Sequence, residues 1–123
     1  MSISIPKVVH YADVPALPVG EDAPGVTIRW LIDEPHDAAP NYALRLIEVD
    51  AGGHTPNHVH PYEHENYVLE GHGRVLIGLE WHEVGPGTVV LVPAGVRHTY
   101  ENTGDTSFRF LCGIPVSRLT TQG

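Results

Sequence analysis

Between residues 42 and 50 the chain alternates, with Leu44, Leu46 and Glu48 on one side and Ala43, Arg45 and Ile47 on the other. A period of two predicts a strand with two distinct faces. The turn signal Ala51-Gly52-Gly53 closes it. Residues 26–32, 65–70, 74–79, 81–84, 97–101 and 106–114 read as further strands, set apart by Gly-rich and Pro-rich turns such as Gly71-His72-Gly73 and Gly85-Pro86-Gly87. Residues 88–92, Thr-Val-Val-Leu-Val, predict a strand buried on both faces or set in a barrel wall. Four prolines keep residues 1–25 extended, and Pro35 and Pro40 make residues 33–41 a loop. No segment has a 3.6-residue period. Strands recurring every ~8–12 residues predict an all-β sandwich or barrel.

In the last strand, Phe108, Phe110, Cys112 and Ile114 share one face. Facing inward, they form an apolar wall in which Phe110 and Cys112 can touch a ligand, with plain core packing as the equal alternative. Arg45 and Arg74 are read as pointing outward, with a role in binding a substrate carboxylate as the alternative.

The densest chemistry lies in His58-Val59-His60-Pro61-Tyr62-Glu63-His64. In an extended segment His58 and His60 face the same way, and His64 can return to the same space from the next strand. Converging neutral imidazoles suit a transition metal. Reference imidazole titration near pH ~6.5 predicts that metal loading falls below that pH. Tyr62 is a candidate mouth residue or proton donor. His10, His36, His54, His72 and His82 have no spacing partner and are read as solvated, His54 with a pocket-rim role as its alternative.

Composition narrows the function classes. Seven Lys+Arg against fifteen Asp+Glu give a net charge of −8, with no basic stripe, which argues against nucleic acid. The single Cys112 excludes an intrachain disulfide framework. It has no neighbour in sequence to activate it as a nucleophile. No apolar run is long enough for a membrane span and no leader pattern is visible, so a cytoplasmic protein is the default reading. At 123 residues, a single domain over residues 1–123 is expected.

Two spacings carry a family resemblance. Gly52, His58, His60, His64 and Gly71 resemble the first conserved motif of the cupin superfamily, G(x)5HxH(x)3–4E(x)6G, with His64 at the usual glutamate. Gly87, Pro93, Gly95, His98 and Asn102 resemble the second, G(x)5PxG(x)2H(x)3N, at every defined position. The resemblance spans residues 42–114 and implies a double-stranded β-helix, or jelly-roll, barrel of two antiparallel sheets. It is narrower still toward small four-histidine manganese-type monocupins.

Carried over, the metal ligands are His58, His60, His64 and His98, with Glu65 as the alternative to His64. Glu65 or Glu63 is then expected as an acceptor that orients a ligand imidazole, and Asn102 as a structural residue. The implied cofactor is one divalent transition ion, manganese first, with Fe, Ni, Co, Cu and Zn as alternatives. The catalytic side chain stays open, with Tyr62, Glu65, Phe110 and Cys112 as pocket-lining candidates. The resemblance further implies a homodimer in which the extended segment 1–32 pairs with the neighbouring subunit. The leading functional expectation is a metal-dependent oxygenase that activates dioxygen or peroxide to cleave a small C=C or enolisable substrate. A non-redox isomerase or lyase on a small sugar or acid, and a non-enzymatic ligand-binding or sensing protein, are the alternatives.

Overall fold

A computed structural model describes residues 3–116. The alternating segments form nine strands: β1 (Leu17–Pro18), β2 (Val26–Ile32), β3 (Tyr42–Val49), β4 (His64–Glu70), β5 (Gly73–Ile77), β6 (Glu80–Val84), β7 (Val89–Val92), β8 (His98–Asn102) and β9 (Phe108–Pro115). They make two antiparallel sheets, one in the order β1-β2-β3-β9-β4-β7 and one in the order β6-β5-β8. This is the expected jelly-roll barrel. No helix among the described residues is long and apolar enough to cross a membrane.

Alternation decides which residues fill the barrel. Val49, Val68, Val75 and Phe108 are buried almost completely and form its centre with Phe110, Cys112 and Tyr100. Phe110 stacks on Tyr100 at 4.3 Å between ring centroids, so the β9 wall of the large sheet closes onto β8 of the small one. Asn102 has the expected structural role: its Nδ2 donates to Val49 O at 2.9 Å and to Thr106 O at 2.7 Å, and its Oδ1 accepts from Gly104 N.

Two expectations change, the loop at residues 33–41 and the fully extended N-terminal run. β7 takes the second of its two expected settings, a barrel wall, because Val89 and Leu91 are 73% and 57% exposed while Val90 and Val92 are buried. It is the outer strand of its sheet, and an apolar composition alone does not reveal edge position. Residues 33–41 contain a one-turn helix, α1 (Glu34–Asp37), capped by Asp33 Oδ1 accepting from His36 N at 2.8 Å. Pro35 lies in its first turn, where the missing N–H costs nothing. The N-terminal run holds one 3₁₀ turn, Tyr11–Asp13. Within residues 1–32, β2 pairs along its length with β3 of its own chain and at Thr27 and Ile28 with β1.

The segment that carries the first two histidines is irregular but stitched in place. His58 and His98 exchange both backbone hydrogen bonds, Thr55 N donates to Tyr100 O, and Gly95 N donates to His60 O at 2.7 Å. Gly95 sits at φ +79°, a left-handed conformation that glycine adopts without a Cβ penalty. That turn brings the residue 54–60 segment down onto the start of β8.

Candidate metal centre

His64 is the first residue of β4 and His98 the first of β8, so both enter the cavity from strand ends, 6% and 8% exposed. His60 joins them from the stitched segment. The nitrogens that these three rings offer lie within 4.8 Å of one another. Ring centroids are 4.7 Å apart for His64 and His98, 4.9 Å for His60 and His64, and 5.4 Å for His60 and His98.

Burial holds these imidazoles neutral. It pushes His64 down to about 3, with the His98 and Arg45 charges adding to the effect, and His60 down to about 4, with His98, His58 and Arg45 adding. His98 is lowered too, chiefly by burial and against the pull of its backbone hydrogen bond. Its Nδ1 lies 3.0 Å from Val96 O. A carbonyl only accepts, so Nδ1 carries the proton and Nε2 keeps its lone pair.

Nδ1 of His60 and Nδ1 of His64 are buried without a hydrogen-bond partner. Three neutral imidazoles within ligating distance, two with orphaned nitrogens, form a donor set that fits a divalent transition ion. His60, His64 and His98 would hold it.

His58 stands apart from this set. Its ring lies 5.5 Å from that of His60 and its side chain is half exposed, with Nε2 3.6 Å from Asp22 Oδ2. It lines the cavity on the side of Asp22 rather than pointing a nitrogen into the cluster.

Glu65 belongs to the opposite face. It is exposed and lines an outer groove with Tyr67 and Val89, because adjacent strand residues point to opposite sides. The expectation that Glu65 lines the pocket is therefore corrected. Glu63 is also exposed, and its carboxyl, raised by a hydrogen bond that it donates to Glu65, meets no imidazole. Tyr62 is corrected as well: its ring stacks on His60 at 5.0 Å and tilts against His64 at 5.3 Å, facing a different groove. It backs the histidine rings instead of lining their cavity. His10, His54, His72 and His82 are exposed, and His36 pairs with Asp33 at the surface; none lines the cavity.

The cavity holds about 170 Å³ and is walled by Val26, Ile28, Ile47 and Phe110, with Cys112 at its side. Among the described residues, the buried side-chain polar atoms without a partner are Arg45 Nε, His60 Nδ1, His64 Nδ1, Asn66 Oδ1 and Tyr100 Oη. All five residues line this one cavity. Burial, with Cys112 nearby, pushes the Tyr100 hydroxyl far above its usual range, so it stays protonated.

Asn66 and Tyr100 are functional candidates that the sequence reading did not place here, and Arg45 is one that it held only as an alternative. Each had a signal, since Arg45 shares a face with Ile47, Asn66 with His64, and Tyr100 with His98. Arg45 points inward, contrary to expectation, and its Nη2 donates to Cys112 Sγ at 2.7 Å. Cys112 thus has a positive neighbour that the linear sequence does not reveal. Arg74 does point outward, paired with Glu101 and lying over Trp81.

The chain is similar to several known proteins. The polyketide cyclase RemF from Streptomyces resistomycificus shares 38% identity and a TM-score of 0.82, over 90% of this chain and 80% of that one. Protein SchB from Streptomyces halstedii is 29% identical over 106 residues, 85% of this chain and 74% of its own length. The 1-methylthio-D-xylulose 5-phosphate methylsulfurylase of Rhodospirillum rubrum is 31% identical over 75 residues, 61% of this chain. This chain spans about half the length of that relative, 48%. The Cupin_2 cupin-domain family matches residues 45–114, from the arginine facing the cavity to the end of the β9 wall. The barrel, its inward histidines and that match make this chain a member of the cupin family.

Proposed function

We propose that this cupin is a metal-dependent enzyme that activates a carbonyl of a small polycarbonyl substrate for a redox-neutral ring closure, as a polyketide cyclase does. The observation that carries the reading is the gathering of the orphaned buried polar atoms in one cavity. Buried polar groups are almost always paired, and a cluster of exceptions marks where a ligand supplies the missing partners. The 38% identity to a polyketide cyclase over most of the chain supports the substrate class.

A bound divalent ion supplies Lewis-acid polarisation of a carbonyl oxygen. His60, His64 and His98 hold it without spending protons, because burial already keeps them neutral. His58 is proposed as the fourth residue that would hold it. Tyr100 Oη donates a hydrogen bond to a substrate oxygen, and Asn66 Oδ1 accepts one from an enol or hydroxyl. Phe110, Ile28 and Ile47 keep water away from the reacting carbons. A cavity of about 170 Å³ admits the reacting end of a chain.

An all-nitrogen donor set takes most first-row ions, so availability decides among them. Manganese is the ion we carry forward from the four-histidine resemblance. The oxygenase expected from the sequence stays as a second reading, supported by that donor set within an apolar wall. A homodimer also remains proposed, supported by the residues before β1, where Ile3, Ile5 and Val8 lie almost fully exposed.

The test supplies 2,6-heptanedione to metal-loaded protein and follows it by NMR beside an oxygen electrode. Ring closure to 3-methylcyclohex-2-enone without oxygen uptake is expected. Oxygen consumption with carbon-chain cleavage in the manganese or iron form would overturn the cyclase reading in favour of the oxygenase.

A further inference from the structure

Arg45, Cys112 and Asn66 form one cross-strand row, Arg45 opposite Cys112 on β3 and β9, and Cys112 opposite Asn66 on β9 and β4. All three line the cavity that the histidines close. Among the described residues, Lys7, Arg29, Arg74 and Arg109 each pair with a carboxylate, and Arg97 is exposed. Arg45 is half-buried and has no carboxylate partner. Its Nη2 donates to a thiol sulfur, a weak acceptor, its Nε is buried without a partner, and its guanidinium carbon sits 5.4 Å from the Trp30 ring centroid.

Burying an unpaired cation is costly, and this chain carries fifteen Asp+Glu, none of which lines the cavity. A positive pocket in a protein of net charge −8 is built for an anion. The guanidinium fork matches a planar oxyanion and stays charged at any working pH.

We infer that Arg45 is the residue that recognises a planar oxyanion on the substrate, a carboxylate or enolate β to the carbonyl that reaches the histidines. Asn66, in the same row and two residues from His64, sets the distance between that oxyanion and the metal centre. This assignment rests on the proposed carbonyl chemistry for the rest of the substrate, but not for the anion site itself.

Isothermal titration tests it with acetoacetate, acetylacetone and the neutral acetoacetamide, on metal-loaded and chelator-treated wild type and on Arg45→Gln. Wild type should bind acetoacetate at least about tenfold tighter than acetoacetamide, and Arg45→Gln should lose about tenfold or more toward acetoacetate. The variant should keep wild-type metal content and change by less than about twofold toward acetoacetamide. If acetylacetone shows the same Arg45 dependence, the enolate is a source of the oxyanion; if it does not, the carboxylate alone is.

Equal binding of acetoacetate by wild type and Arg45→Gln overturns the inference. So does a wild type that loses its anion preference once the metal is removed, a measurement that needs no folded variant. Arg45-dependent anion binding without ring closure of the diketone would fell the cyclase reading and leave the anion site standing.

Discussion

The rings of His64 and His98 lie 4.7 Å apart although they begin strands of different sheets, β4 in the large one and β8 in the small one. An ion held between them therefore clamps one sheet to the other. Because such a ligand binds the folded state alone, saturation at about a hundred times Kd adds about 2.7 kcal/mol. Thermal melts should rise by several degrees on metal loading and fall back with chelator. The same shift in a His64→Ala variant would mean that the ion binds elsewhere.

The pH dependence follows from burial. In the unfolded chain the histidines take protons near 6.5, while in the folded chain His60 and His64 resist protonation down to about 4 and 3. Protons therefore bind the unfolded state first as pH falls, so stability is fully present above 6.5 and declines down to about 3, the His60 share ending near 4. The folded site, however, keeps its lone pairs well below the reference imidazole range. Elemental analysis of folded protein across the acid range should show metal retained at pH ~5.5, not half lost near ~6.5 as reference titration implies.

Gly71 closes the β4–β5 hairpin at φ +81°. A Cβ there would stand 2.3 Å from Ser107 O and 2.9 Å from Phe108 Cα. Backbone strain and a clash with main-chain atoms act together, so Gly71→Ala should cost about 2 kcal/mol or more in denaturant melts. Gly52→Ala has the same sign of φ but open space around it, and should cost about 1 kcal/mol.

The strands and the histidine cluster were legible because alternation and spacing act over a few residues. Phe110 and Cys112 reach the cavity as their shared face predicts, and His64 takes the inward position that leaves Glu65 outside. What the sequence hides is which face of a strand looks in. β3 alternates correctly, yet its inward side holds Arg45, a residue that hydropathy assigns to solvent. Tyr62 was misread for a related reason: Pro61 ends the extended geometry, so alternation no longer says where the next ring points. His58 instead lies near Asp22, a contact between segments far apart in the chain.

The central claim is that His60, His64 and His98 are the core of the metal site. It is tested most directly by metal content, measured by elemental analysis on purified His60→Ala, His64→Ala, His98→Ala, His58→Ala and His72→Ala proteins. The first three should each lose tight binding. His58→Ala should bind more weakly but measurably, and His72→Ala should match wild type. Full metal content in any of the first three, or complete loss in His72→Ala, would contradict the account.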